Sequence, residues 1–305
     1  MAEFGTVRVA AVQATPVVLD ADATIDKLIT LLDAAADDGA QLIVFPEAFV
    51  SLYPSGAWAY PAATWVPAAD ELWKRLWISS VDVRGPQVQR IVEACGRRGV
   101  HVVVGVNERE DDRPGSLYNA LLVIGPDGVR HRHRKLMPTM HERVFHAVGA
   151  GDDLDVVDVP GVGRVGGLLC WENRMPLARW AVYEGGPQIW VAPTADDSES
   201  WVASMRYIAI EAGAFLVSVA QYIPAAAFPA DFPFRLPDDV DVFGHGGACI
   251  VSPTGDIVAG PVYDCETIIT ADCDLGQALH AKRFFDVAGH YSRRDVLAWR
   301  ARGDS

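Results

Sequence analysis

The 305-residue sequence has no uncharged apolar run long enough to cross a bilayer, so no membrane-spanning helix and no membrane partner are expected. It is also short of cysteine. Cys95, Cys170, Cys249, Cys265 and Cys273 are an odd number, thinly spread in a chain too large to need covalent staples, so reduced thiols and a cytoplasmic setting are expected. Positive charge is scarce as well: 26 Lys and Arg stand against 40 Asp and Glu, a formal net charge of -14. A polyanionic partner needs a basic face from which to release counterions, so nucleic acid is set aside. Residues 1–5 carry an acid, and the apolar stretch 7–12 alternates with polar residues, so no signal peptide is expected. No composition break or low-complexity linker divides the chain, and a single domain over residues 1–305 follows. Half the residues are apolar and 22% are charged, which excludes a disordered or collagen-like chain.

Strand and helix patterns alternate. Residues 7–13 read as a strand, Ile25, Leu28, Ile29 and Leu32 recur at helical spacing after a cap at Asp22, and Gly39 stops that helix. Residues 42–45 form the next strand. The phrase repeats with Val88, Ile91, Val92 and Cys95 on a helix closed by Gly99, then an apolar strand over 100–106. Gly125-Pro126-Asp127-Gly128 is turn chemistry between strands 121–124 and 129–133, which predicts a hairpin. Further strands are expected at 165–169, 189–191, 215–220, 248–251 and 267–271, with helices at 176–184 and 201–212. The rhythm is that of an α/β protein.

Two motifs fail on inspection. Gly161, Gly163 and Gly166 have the spacing of a dinucleotide-binding loop, but that loop must open a helix, and here an apolar strand follows. His141-Glu142 with His146 nearly spells a zinc-protease motif. The five-residue separation sets the two imidazoles about 140° apart around a helix, whereas ligation needs four, so no metal is expected.

Cys170 ends the apolar run 165–169 and precedes a turn that leads to Pro176. A thiol there is either a buried structural side chain or a nucleophile at a sheet edge, where free backbone N–H groups can receive developing negative charge. Glu47 ends the strand 42–45 in the same topological position, and Lys135 follows the second hairpin strand. Together a carboxylate, an ammonium and a thiol would supply a general base, a charge stabiliser and a nucleophile.

Three separated motifs resemble those of the nitrilase family, within the carbon-nitrogen hydrolase superfamily: Phe45-Pro46-Glu47-Ala48, His133-Arg134-Lys135-Leu136-Met137-Pro138-Thr139 and Cys170-Trp171-Glu172-Asn173-Arg174-Met175-Pro176. The similarity continues through Ala192-Pro193-Thr194-Ala195-Asp196, Gly246-Gly247-Ala248-Cys249-Ile250 and Gly289-His290-Tyr291-Ser292-Arg293, covering nearly the whole chain. The resemblance implies a nitrilase-like four-layer α-β-β-α sandwich, with residues 276–305 as a C-terminal extension and protomers paired across an α face. It implies that Cys170 attacks a nitrile to give a thioimidate and then a thioester, with Glu47 accepting protons and Lys135 stabilising tetrahedral intermediates. It also places at Glu142 a second glutamate that positions the lysine or the attacking water. No cofactor is implied.

An amidase or N-carbamoyl amide hydrolase with the same triad is the alternative, and a non-catalytic scaffold a further one. Cys170-Trp171-Glu172-Asn173 favours the nitrilase branch, and the Asn disfavours cyanide as substrate, because its specialised hydrolases usually have His there. After Glu142-Arg143 the family often has Trp-Gly, whereas this chain has His146-Ala147. The chain ends at Ser305 without the long tail linked to filaments in many relatives, so dimers or a small closed oligomer are expected. Tyr53, Trp58, Tyr60, Trp65, Trp73 and Trp77 crowd one segment. Tyr53 and, beside the nucleophile, Trp171 are the expected substrate-binding residues, the other aromatics serving mainly in packing.

Overall fold

The computed structural model of the protein describes residues 4–296. The first half of the chain runs β1 (Thr6–Gln13), α1 (Ala21–Asp37), β2 (Leu42–Val44), α2 (Gly56–Ala62), α3 (Pro67–Ile78), α4 (Pro86–Arg98), β3 (His101–Arg109), β4 (Leu117–Gly125) and β5 (Gly128–Arg134). The second half runs β6 (Val157–Val159), β7 (Gly163–Gly167), α5 (Pro176–Tyr183), β8 (Ile189–Thr194), α6 (Glu199–Ala212), β9 (Phe215–Ala220), β10 (Tyr222–Pro224), β11 (Val242–Val251), β12 (Ile257–Tyr263), β13 (Thr267–Asp274) and α7 (Leu275–Phe284). Parts of the expected leader-free start and of the extension 276–305, namely residues 1–3 and 297–305, lie outside the described residues. Among the described residues no helix is long and apolar enough to cross a membrane.

Each half folds into one sheet, except that β13 returns to the first. The orders are β13-β1-β2-β3-β4-β5 and β10-β11-β9-β8-β7-β6, with β12 paired to β11. The period of two along a strand explains how both faces of a sheet are filled. In β1, Val7, Val9 and Ala11 face the second sheet, where Val165, Ile189, Val191 and Val217 meet them. Ala10 and Val12 face the other way, onto Ile25, Leu28 and Leu32 of α1 and Val88 and Ile91 of α4. The outer face of the second sheet, through Trp190, Ala192 and Leu216, packs on Ala178 and Val182 of α5 and Trp201, Met205 and Ala209 of α6. The result is the four-layer α-β-β-α sandwich.

Local boundaries differ from expectation where capping decides them. The cap of α1 is Asp20, whose Oδ1 accepts the Ala23 N–H at 2.9 Å, and not Asp22. Ser198 caps α6 through its hydroxyl on the Trp201 N–H, so that helix starts at Glu199 instead of Trp201. Gly99 closes α4 as expected, at φ 65°. The aromatic segment after Glu47 forms two helices, α2 and α3, that the sequence pattern did not reveal.

β1, β2 and β3 are mutually parallel, and so are β7, β8 and β9. Crossover helices connect them, so Glu47, Cys170 and Thr194 all fall at carboxyl ends of strands, where α/β sheets place their clefts.

Candidate active site

Glu47 reaches its place because β3 lets it approach. A Cβ on Gly105 would stand 2.5 Å from the Glu47 Cα, the Ala48 N and the Pro46 O, so only glycine admits this crossing. The Gly105 N–H donates to the Pro46 O at 3.0 Å and fixes the turn. Lys135 is set by the end of the hairpin, its N–H on the Asn119 O at 2.8 Å. Cys170 opens a 3₁₀ turn, Cys170–Arg174, at φ 47°. A side chain at positive φ is strained, and the turn is held by several contacts. Asn173 Nδ2 donates to the Leu168 O at 2.8 Å and the Cys170 O at 2.9 Å, while its Oδ1 accepts the Trp190 indole N–H at 2.8 Å.

The Glu172 carboxylate ties the cysteine turn to the lysine strand. It accepts the Leu169 N–H at 2.9 Å, the Leu136 N–H at 2.6 Å and the His133 Nε2–H at 3.0 Å. His133 donates through Nδ1 to Asp153 at 2.8 Å. Burial alone would lower this imidazole, but Asp153 and Glu172 outweigh it and bring it up to about 9.

Glu47, Lys135 and Glu142 are fully buried and joined. Lys135 Nζ donates to Glu47 Oε1 at 2.7 Å and to Glu142 Oε2 at 2.6 Å. Asn119 Nδ2 donates to the same Glu47 oxygen and to Glu142 Oε1, both at 2.8 Å. The Thr139 N–H completes the cradle at 2.6 Å from Glu142 Oε2. Glu47 Oε2 has no partner and is buried. Burial opposes the Lys135 charge, but Glu47, Cys170 and Glu142 hold its ammonium well above the usual range. Burial also raises Glu47, with Lys135 opposing and Glu142 adding, to about 7. For Glu142, burial is outweighed by Lys135 and His146, and the carboxyl stays below its ordinary range.

The Cys170 thiol shares this charged neighbourhood. Burial and then Glu47 push it up to about 12, while Lys135, the Thr194 hydroxyl and the Ala195 N–H work the other way. Thr194 Oγ1 donates to the sulfur at 3.2 Å and accepts the Asp196 N–H at 2.9 Å, which orients the hydroxyl toward the thiol.

The thiol opens onto a cavity of about 420 Å³. Leu52, Tyr53, Trp58, Ile223, Phe228 and Phe243 give it apolar walls, and Trp171, Arg174, Asp196 and Asp197 lie on its polar side. Tyr53 is buried, its ring edge on His141 and 5.9 Å from Lys135 Nζ. The Trp171 indole donates to Asp196 at 2.7 Å, with the Arg174 guanidinium 5.1 Å from its ring. Trp65 is fully exposed, and Trp77 stacks with Arg109, 4.8 Å from the ring centre, so neither lines this cavity. Sequence reasoning thus brought Glu47, Lys135, Glu142, Cys170, Tyr53 and Trp171 to one place. It missed Asn119, Thr194 and the wall from segment 222–243. Asn119 and Asn107 sit opposite each other across β3 and β4 in otherwise apolar strands, which was the available signal for the first. Ser218, a serine in an otherwise apolar strand, is likewise internal, bonded to Trp201, and shows that such a signal alone is not specific.

A family model described as carbon-nitrogen hydrolase matches residues 8–283. The chain belongs to the carbon-nitrogen hydrolase family. It is 43% identical over 292 residues to an aliphatic nitrilase of Sinorhizobium fredii (strain HH103), covering 95% of this chain and 94% of that protein. It is 42% identical to Nitrilase 3 of Arabidopsis thaliana over 302 residues, 96% of this chain and 86% of the other. A bifunctional nitrilase/nitrile hydratase of Nicotiana tabacum is 41% identical over 300 residues, 96% of this chain and 85% of the other. Among solved structures, a carbon-nitrogen hydrolase from Helicobacter pylori G27 has a TM-score of 0.73 at 18% identity, covering 97% of this chain and 98% of that one. Saccharomyces cerevisiae Nit3 gives 0.71 at 20%, covering 95% and 97%. These structures share the fold.

Proposed function

We propose that this carbon-nitrogen hydrolase is a nitrilase that converts an organic nitrile to its carboxylic acid and ammonia, with Cys170 as nucleophile. The observation that carries the reading is the buried Lys135 ammonium, held between the Glu47 and Glu142 carboxylates beside the Cys170 thiol at the floor of the cavity. Similarity to nitrilases over most of the chain supports the nitrile as substrate. The apolar walls suit an apolar organic group, oriented by Tyr53 and Trp171.

Glu47 takes the Cys170 proton through its unpartnered Oε2, and the thiolate adds to the nitrile carbon. The nitrile nitrogen accepts that proton, which gives a thioimidate, and Lys135 stabilises the developing negative charge. Water then adds to the thioimidate carbon as a carboxylate takes its proton; Glu142 holds Lys135 in place through this step. The amino group, protonated, leaves as ammonia and a thioester remains. A second water hydrolyses it, and the acid departs as Cys170 regains its proton. The sequence consumes two waters per nitrile and needs no redox partner.

The reading takes the chain as a single domain, and within the described residues 4–296 the C-terminal extension carries most of α7 (Leu275–Phe284). Pairing into dimers across the α face is supported by exposed Leu177 on α5 and by Tyr207 and Ile210 on α6. The five cysteines are unpaired, which suits the cytoplasm. The test is ammonia release from a panel of nitriles and a matched panel of amides. Nitriles should give acid and ammonia; ammonia from amides alone would replace this reading with an amidase.

A further inference from the structure

His146 is a second titratable group in contact with the charged cluster. Its side chain is completely buried, and its backbone N–H donates to the Glu142 O at 2.8 Å, while Ala147 pairs with Leu117 of β4. The imidazole Nε2 stands 2.7 Å from Asn107 Oδ1 on β3. Asn107 Nδ2 donates to the Val50 O at 3.3 Å and the Leu52 O at 3.0 Å, so its Oδ1 can only accept, and His146 Nε2 must carry the proton. That leaves Nδ1, buried, without a hydrogen-bond partner and 3.6 Å from Glu142 Oε1.

The tautomer fixed by Asn107 has a direct electrostatic consequence. In a neutral ring, Nδ1 turns a lone pair toward an ionised carboxylate, and the two repel. In a charged ring, Nδ1 presents an N–H to that carboxylate, and the two attract. The cluster otherwise holds two carboxylates, Glu47 and Glu142, against one ammonium, Lys135. The remaining titratable neighbours are the Cys170 thiol, the Tyr53 phenol and His141 on the same segment; Glu108, next to Asn107 on β3, is engaged by Arg132 and Arg134. None of these supplies a second cation to the two carboxylates.

We propose that His146 is a positioning residue of this site, an imidazolium that balances Glu142 and so leaves the Lys135 charge available to Glu47 and the reacting atoms. The inference rests on Glu47 acting as the base toward Cys170. His146 touches neither substrate nor the thiol. It acts through Glu142, and through Asn107 it also ties that charge to residues 50–52, the run of chain leading from Glu47 to the Tyr53 wall.

The test compares the pH dependence of kcat/KM for the wild type and His146→Gln. Glutamine retains an N–H for Asn107 and cannot ionise. Losing a cation near Glu47 makes its carboxylate harder to form, so the acid limb should move to higher pH by about one unit, with activity on the alkaline plateau within about threefold of the wild type. One unit below the wild-type limb, this is close to a tenfold loss of kcat/KM. His146→Trp, with the residue often found here in nitrilases, should move the limb in the same direction and serves if the Gln variant does not fold. A residue that only fills space would lower activity equally at every pH. An unmoved limb, or one moved to lower pH, in the soluble variants overturns the proposal. Cys170→Ala separates the two levels: turnover retained in that variant would overturn the underlying assignment of nucleophile and base, whereas its loss beside an unmoved His146→Gln limb would overturn the role of His146 alone.

Discussion

Replacing Gly105 by alanine should impair the reaction more than the fold. The new methyl group would stand 2.5 Å from three backbone atoms of residues 46–48, against an ordinary contact of 3.4 Å or more. No flexible side chain is there to give way. The Glu47 backbone must therefore retreat by about 1 Å, and a misplacement of that size costs about 100-fold in rate. Overpacking of a buried crossing costs about 1–3 kcal/mol, which for a chain of this size lowers Tm by about 2–6 °C. Gly96 on α4 provides the matched control. It is exposed and its added Cβ would meet only the Pro126 O at 3.6 Å, so alanine should stabilise the helix by about 0.5–1 kcal/mol with no change in kcat. The assays are ammonia release under saturating nitrile and a thermal melt by circular dichroism. A Gly105→Ala enzyme with wild-type kcat would refute the reasoning that the β3 crossing positions Glu47.

Cys170→Ala should lose turnover while melting close to the wild type, since a small buried side chain is exchanged for a smaller one; wild-type turnover would sink the mechanism. Glu47→Gln should lower turnover by orders of magnitude, and mass spectrometry of the protein after mixing with nitrile would show whether an adduct on Cys170 accumulates or never forms. Because Glu47 lies at about 7 and must be ionised to accept the thiol proton, kcat/KM should rise with pH through about 7; a flat profile from pH 5 to 9 would contradict it. His133 is raised from 6.5 to about 9 in the folded protein, so its contribution is complete below 6.5 and is lost as pH rises through 9. That contribution is on the order of 3 kcal/mol, and the urea midpoint of the wild type should fall between pH 6.5 and 9.5 more than that of His133→Gln.

The α/β alternation was legible because the parallel strands are buried on both faces and read as apolar runs, as in 100–106 and 215–220. Elements governed by something other than apolar period escaped. β12 is exposed along most of its length and pairs irregularly with β11, so its sequence carries no two-residue alternation to read. α2 is short, with Pro61 inside it, and its aromatics looked like a wall before they looked like a helix. At the site, Glu47, Lys135 and Cys170 lie at strand ends, a position that strand periodicity could suggest, but their meeting depends on long-range register. For that reason Asn119, a lone amide in an apolar strand, and Thr194, one residue within a family-like stretch, gave no sign that they bond both carboxylates and the thiol. His146 was noticed only as a departure from a motif; its meaning came from Asn107, 39 positions earlier, whose amide orientation fixes the proton on the ring.

The site concentrates features that a stable core avoids. Two carboxylates and an ammonium are fully buried, one carboxylate oxygen has no partner, and Ala48, Met140 and Cys170 all sit at positive φ within the segments that carry or contact them. Each strained residue costs about 1–3 kcal/mol and persists only where its surroundings over-determine it. Here the over-determination is visible as bonds that converge on these turns: Glu172 to Leu136 and Leu169, Asn173 to Leu168 and Cys170, Gly105 to Pro46, and Thr139 to Glu142. The unpartnered Glu47 Oε2 is the exception, and in the proposed mechanism it is the atom that accepts the thiol proton. Filling it with a permanent donor would stabilise the resting carboxylate and remove the proton acceptor from the thiol in the same step. The instability of this corner is therefore a condition of its reactivity, and substitutions that relieve it should raise Tm and lower kcat together.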